Sequence, residues 1–140
     1  MIIGYTAGAF DLIHIGHIRH LKLAKSKCDY LIVGISTDDF IKKIKNKNPI
    51  FSLEERIEIV NSIKYVDKTI IQYDENKFEV WEQYKFNIMF SGDDWKGNPR
   101  FEKYRLELEK VGAKLEFLPY TYGISTTDII NKILTNNDKF

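Results

Sequence analysis

The chain has 140 residues, 44% of them hydrophobic and 29% charged, with 21 Lys and Arg against 20 Asp and Glu. These are the values of an ordinary globular domain long enough to bury a core, and they argue against disorder. A net charge of +1 likewise argues against a general nucleic-acid or membrane-surface binder, both of which need a strong positive excess.

The chain starts Met1-Ile2-Ile3-Gly4, without a charged leader or a long apolar run, so no signal peptide or membrane span is expected and the predicted location is cytoplasmic. Cys28 is the single cysteine; it cannot form an internal disulfide and falls in an apolar-periodic stretch, as a small packed side chain would. Ile2–Thr6 reads as the first strand. It enters the small-residue turn Ala7-Gly8-Ala9, then Phe10-Asp11, and then His14-Ile15-Gly16-His17. From Ile15 to about Lys27, Ile15, Ile18, Leu21 and Ala24 recur at helical spacing. Tyr30–Ile35 is a continuous apolar run, the pattern of a strand covered on both faces. Ser36-Thr37-Asp38-Asp39 offers caps for a short helix. Residues 41–50 carry four lysines, two asparagines and a proline, which predicts a mobile loop.

Ser52-Leu53-Glu54-Glu55 is a capping box, and the helix it opens places Leu53, Ile57, Val60 and Ile63 on one face. Val66–Gln72 is the predicted third strand, Phe78–Tyr84 a short helix and Asn87–Ser91 the fourth strand, which runs into a polar turn from Gly92 to Pro99. Phe101, Tyr104, Leu108 and Val111 mark a helix that stops at Gly112. Lys114–Leu118 is the fifth strand, followed by Pro119–Thr127 and a last helix bearing Ile129, Ile130, Ile133 and Leu134. The expected organisation is one domain over residues 1–134 with a frayed tail at 135–140.

Strands separated by helices predict a Rossmann-like α/β fold, an open five-stranded parallel sheet wound on both faces. Ligands in such folds bind outside the C-terminal strand ends, where the strand order reverses. Gly8–His17, Gly92–Lys96 and Gly123–Thr127 directly follow the first, fourth and fifth strands, which predicts that they converge on one sheet edge.

Helix N-termini carry unpaired N–H groups and a partial positive charge, so the strand–turn–helix junction at His14–His17 suits an anion. Both imidazoles can donate to phosphate oxygens, and Gly16 lets the backbone come close. Such donors matter most where negative charge grows during phosphoryl transfer. A zinc site is the competing reading; it would need more ligands than His20, one turn further on, can add.

On these residues, Gly8–His17 resembles the signature loop of the nucleotidyltransferase superfamily with the His-x-Gly-His motif. Tyr30–Asp39, Tyr65-Val66-Asp67, Gly92-Asp93-Asp94-Trp95 and Gly123-Ile124-Ser125-Thr126-Thr127 resemble, in order, segments of the glycerol-3-phosphate cytidylyltransferases, over nearly the whole chain. The resemblance implies a cytidylyltransferase that uses CTP with Mg²⁺ and a small phosphorylated acceptor, works as a homodimer and serves surface-polysaccharide synthesis. It implies that His14 and His17, with the loop lysines Lys43, Lys45 or Lys47, hold the reacting phosphates. Ala7, Gly8, Ala9, Phe10, Asp11 and Gly16 would form the first nucleotide-binding loop. Gly92, Asp94 and Trp95 would build the base and ribose pocket. Gly123, Ile124, Ser125, Thr126 and Thr127 would bind phosphate at the last helix. Asp11, Lys47, Arg56, Lys64, Tyr120 and Tyr122 would face the acceptor.

The family pattern has Arg-Thr-Glu where this chain has Tyr120-Thr121-Tyr122, and arginine where it has Lys64. A phenol donates one neutral hydrogen bond where the fork is always charged, so the expected acceptor is glycerol 3-phosphate or, given these departures, a larger polyol or ketose phosphate. His14-Ile15-Gly16-His17 also spells the motif of class I aminoacyl-tRNA synthetases, but the chain has no tRNA-binding domain or Lys-Met-Ser-Lys-Ser-like loop. An adenylyltransferase and a non-catalytic nucleotide-binding domain are also compatible with the same fold.

Overall fold

A strand buried on both faces must be apolar throughout, and Tyr30–Ser36 (β2) meets that requirement from Leu31 to Ile35. In the computed structural model, which describes residues 1–136, it is one of five strands. The others are β1 (Ile3–Gly8), β3 (Lys68–Gln72), β4 (Ile88–Gly92) and β5 (Lys114–Leu118). Between and after them, among the described residues, lie six α-helices: α1 (Ile15–Ser26), α2 (Asp38–Lys45), α3 (Leu53–Asn61), α4 (Lys77–Tyr84), α5 (Pro99–Glu109) and α6 (Thr126–Thr135). All strand pairs are parallel, in the order β3-β2-β1-β4-β5, so the winding reverses between β1 and β4. The predicted Rossmann-like doubly wound sheet is the observed fold.

Strand alternation divides the core into two layers. Leu31, Val33 and Ile35 face Leu21 and Ala24 of α1 and Val60 of α3. Ile32 faces the other way, with Tyr5 and Met89, toward Phe101, Tyr104 and Leu108 of α5 and the partly buried Val80 and Trp81 of α4. Gly34 also stands on this second face. A Cβ there would collide with the Tyr5 hydroxyl, so glycine leaves the room that lets Tyr5 donate to Gln72 at the end of β3. Cys28 packs as expected, half-buried, with Sγ against the Ala24 carbonyl.

Several boundaries differ from the sequence reading, each for a local reason. The segment predicted as a loop from residue 41 is helical up to Lys45. Thr37 caps α2, Asp38 and Asp39 occupy its first turn, and Lys42, Lys43 and Lys45 occupy its last, which is the arrangement the helix dipole favours. Asn46, at φ 52°, ends it. β1 continues through Ala7 and Gly8. β3 starts at Lys68 because Asp67 is bound through its carboxylate to the Leu31 N–H. α4 gains Lys77 through the Asn76 cap, and α5 begins at Pro99 behind an Asn98 cap. α6 runs through Thr135, so the predicted boundary at 134 falls inside a helix. The predicted tail beyond Asn136 lies outside the described residues. Among the described residues no helix is long and apolar enough to cross a membrane.

Candidate active site

A cleft of about 340 Å³ opens at the C-terminal ends of β1, β4 and β5, where the strand order reverses. Segments from the turns after these three strands line it together, as their positions in the chain predicted.

The β1–α1 turn forms one wall, with Ala7, Gly8, Ala9, Phe10 and Asp11 on the cleft. Phe10 and Leu12 hold φ of 51° and 49°, a left-handed conformation that costs a non-glycine residue of order 1 kcal/mol or more. Three ties hold the turn there. The Ala9 carbonyl accepts from Arg56 Nη1 at 2.8 Å. Both Asp11 carboxylate oxygens accept backbone N–H groups, from Ile50 at 2.7 Å and Phe51 at 2.9 Å. Thr126 Oγ1 donates to the Asp11 carbonyl at 2.9 Å.

One expected acceptor contact, Arg56, is thereby corrected. Arg56 is fully buried; it donates to the carbonyls of Phe51, Ala9 and Ser36 and pairs with Asp38, which occupies four of the five N–H groups of its guanidinium. It fastens the turn rather than facing an acceptor. Asp11 orders the loop through the 50–51 backbone, as expected of it, and also lines the cleft.

His14 is the N-cap of α1, and its Nδ1 accepts the Gly16 N–H at 3.0 Å. His17 Nδ1 accepts the His14 N–H at 3.1 Å, completing a reciprocal cap. In each ring the capping nitrogen is an acceptor, so the neutral ring carries its proton on Nε2 and offers it to the cleft that both rings line. The ring centroids lie 4.0 Å apart. Burial lowers the pKa of His14, and burial followed by the nearby His14, His20 and Lys45 brings His17 down to about 3. Both are therefore neutral donors near pH 7. Gly16 is required by the same cap, since a Cβ would come within 2.8 Å of the His14 ring.

His20 is the third histidine of the cleft wall, and its function was not legible beyond its helical spacing. Thr6 Oγ1 donates to the Phe90 carbonyl, so it accepts from His20 Nε2 at 2.9 Å, locking the ring between β1 and β4. Burial lowers the His20 pKa to about 4. Among the described residues no group of three His, Cys, Asp or Glu side chains could hold a metal ion.

Of the lysines, Lys45 and Lys47 line the cleft and Lys43 does not. Helical spacing explains the choice: Ile41, on the cleft, shares its α2 face with Lys45 four residues on, whereas Lys43 lies on another side. Partial burial lowers the Lys45 pKa, Lys47 adds to this, and Asp94 and Asp11 oppose it. Gly92 admits the Asp94 carboxylate, which any Cβ at that position would strike. Desolvation raises the Asp94 pKa. Trp95, half-buried, stacks on Phe101 at 5.0 Å and lines the cleft.

The β5–α6 segment forms the opposite wall. Ser125 caps α6 by accepting the Asp128 N–H at 3.0 Å, which leaves the N–H groups of Thr126 and Thr127 at an open helix N-terminus. Ile124, Ser125, Thr126 and Thr127 line the cleft, whereas Gly123, at φ 81°, only shapes the turn. Tyr120 lines the cleft and donates its N–H to Asp93. Tyr122 packs edge-on against Tyr120 at 5.1 Å but is 76% exposed and lies off the cleft. Lys64 is also absent from it: it sits over the Tyr65 ring just before β3, at the N-terminal end of the sheet. Pro119 and Thr121 line the cleft without having been singled out in the sequence.

Residues 5–132 match the family described as cytidylyltransferase-like. The glycerol-3-phosphate cytidylyltransferase of Bacillus subtilis (strain 168) is 39% identical over 130 residues, covering 91% of this chain and 94% of that protein. The bifunctional protein HldE of Geobacter metallireducens is 32% identical over 131 residues; the match covers 93% of this chain but only 26% of that longer protein. The crystal structure of the lipopolysaccharide core biosynthesis protein from Thermoplasma volcanium GSS1 superposes with a TM-score of 0.73 at 26% identity, covering 86% of this chain and 97% of that one.

Proposed function

The chain belongs to the cytidylyltransferase-like family, and from that premise we propose that its cleft transfers CMP from CTP to glycerol 3-phosphate or a larger polyol or ketose phosphate. The coarser activity, CTP-dependent cytidylyl transfer to a phosphorylated polyol or sugar, follows from family membership and from relatives that span nearly the whole chain. The carrying observation is the pair of neutral imidazoles, each fixed by a backbone cap and each with Nε2–H free, opposite the open N-terminus of α6.

An oxygen of the acceptor's phosphate attacks the α-phosphorus, and the bond to the β-phosphate oxygen breaks as pyrophosphate leaves. The nucleophile is already an anion, so no general base is needed; positioning and charge neutralisation supply the rate. His14 and His17 donate to phosphate oxygens whose charge grows in the transition state. Lys45 neutralises charge from the α2 side. The Thr126 and Thr127 N–H groups hold phosphate on the other wall. Mg²⁺ bound to CTP would neutralise the triphosphate. The residues fit an ion held mainly by phosphate and water, with Asp11 and Asp94 the carboxylates that line the cleft. A homodimer and a supply of CDP-linked product to surface-polysaccharide synthesis belong to the same reading, and light scattering of the purified protein tests the first.

The direct test mixes the protein with CTP, ATP, UTP or GTP and a panel of phosphorylated polyols, sugars and amino alcohols. Pyrophosphate release and a CDP-linked product mass are expected with CTP alone. Binding without turnover, or transfer from ATP instead, would sink the proposal.

A further inference from the structure

The three histidines of the cleft wall do not offer the same chemistry. His14 and His17 spend Nδ1 on backbone caps and present Nε2–H, so they are donors. His20 is arranged the other way round. Thr6 Oγ1 gives its proton to the Phe90 carbonyl and therefore takes one from His20 Nε2. Burial keeps the ring neutral near pH 7, so Nδ1 carries no proton. That nitrogen has no hydrogen-bond partner among the described residues and is not sealed off, and the ring lines the cleft. His20 thus presents a fixed acceptor, which repels phosphate oxygens and suits a ligand N–H or O–H.

Its surroundings form a narrow slot. His20 lies one turn along α1 from His17, about 4.5 Å further at 1.5 Å per residue. It stands over the paired Thr6 and Phe90 of β1 and β4. The β5–α6 turn closes from the other side: a Cβ at Gly16 would come within 3.7 Å of Thr121 Cβ, and one at Gly92 within 3.7 Å of the Tyr120 ring. The two glycines leave the space between α1, the end of β4 and Tyr120 open to a thin, flat group. The Asp94 carboxylate beside Gly92 is exposed, so His20 is the acceptor better shielded from water.

Resting on the cytidylyl-transfer reading of the cleft, we infer that this slot takes the pyrimidine ring of the nucleotide and that His20 Nδ1 accepts from its exocyclic amine, which makes His20 a specificity-determining residue for cytosine over uracil. The phosphates belong to the donors, His14, His17 and the N-terminus of α6, so the acceptor is left for the base or the ribose. The base is the flat group. Its amino-bearing edge is remote from the ribose, so it is the part that reaches His20 when the α-phosphate lies at His17. Uracil puts a carbonyl oxygen where cytosine has the amine, and two lone pairs would then face each other out of reach of water. Moving the ring proton to Nδ1 would cost the Thr6–Phe90 bond, so the tautomer is held.

Calorimetry with CTP and UTP analogues, each carrying a methylene between the α- and β-phosphorus so that no transfer occurs, tests the assignment. The native protein should bind the CTP analogue about tenfold or more tighter than the UTP analogue. His20→Leu should bring that ratio to within about threefold, with the loss falling on the CTP analogue. His20→Gln, whose amide oxygen restores an acceptor, should keep part of the preference, and thermal unfolding checks that both variants fold. An equal loss for both analogues would give His20 to the ribose, the phosphates or packing and would overturn the inference. An unchanged ratio in His20→Leu, or no preference in the native protein, would overturn it too. Nitrogen-15 NMR of the native protein needs no variant: His20 should show the Nε2–H form, and its Nδ1 signal should move with the CTP analogue and not with the UTP analogue. An Nδ1–H form or equal shifts count against the inference. A CDP-linked product alongside any of these negative results leaves the transfer reading standing. Base preference without any CDP-linked product in the turnover screen would instead overturn that reading.

Discussion

The two walls of the cleft are built on opposite principles. The β1–α1 wall is over-determined: two left-handed non-glycine residues are held by Arg56, Asp11 and Thr126, and both histidines are fixed by reciprocal caps. The β5–α6 wall carries few such ties, and its Tyr122 stands 76% exposed. On the proposed function the rigid wall carries the imidazoles that meet the growing charge, and the second wall offers phosphate the backbone N–H groups of α6. Arg56, fully buried, lies off the cleft and fastens the strained turn that lines it.

The contrast between the walls breaks first at Arg56. Arg56→Met should cost at least about 3 kcal/mol in urea unfolding, because the Ala9, Ser36 and Phe51 carbonyls lose their donors. A loss below about 1 kcal/mol, the worth of a single hydrogen bond, would mean that the turn holds itself. Removing one donor with the wall intact comes next. His17→Ala should lower kcat about 10²–10³-fold, the usual cost of deleting one transition-state donor, with native circular dichroism. A near-normal rate would end the phosphate-clamp role. The α2 lysines sharpen the contrast between facing the cleft and merely lying near it. Lys45→Ala should cost about tenfold or more in kcat/KM for CTP, and Lys43→Ala less than about twofold.

The smallest effect is a pH profile. Neutral Nε2–H donors predict that kcat/KM for CTP stays within about twofold from about pH 6.5 to 8.5; a steady fall across that range would point to an imidazolium instead. Stability moves in the opposite window. The folded-state pKa values of His17 and His20, about 3 and about 4, lie below the unfolded 6.5, so between these values the unfolded chain binds more protons. Their contribution is present above pH 6.5 and is lost as pH falls toward 4, each histidine giving up about 1.4 kcal/mol for every pH unit crossed between its two values. Urea midpoints across that interval measure it.

The doubly wound sheet was legible because the central strands, β2 above all, are apolar runs and each helix has periodic contacts or a cap. Ser52 with Glu55 and Gly112 behaved as their local chemistry dictates. The convergence of three loops followed from topology alone. Three-dimensional accounting was not legible. Nothing in the string shows that Asp11 orders its loop through the backbone at 50–51 in particular, or that Arg56 spends its donors on carbonyls. The lysines of residues 42–47 looked like a loop because composition was weighed above the Thr37 cap and the dipole. The burial of Lys77 gave no signal, since a lysine at a helix start usually faces water. It comes from α2 and α5 closing over the side chain, a long-range fact.

The hydrogen bond from Thr126 to the Asp11 carbonyl joins positions 115 apart in the chain. A nascent polypeptide therefore has its histidine turn early and the second half of its phosphate site only when nearly everything else has been translated. Truncation before Ser125 would leave all five strands but no finished place for a triphosphate. On the proposed function a chain stopped there keeps the histidine half of the site alone and should bind nucleotide more weakly than the finished one.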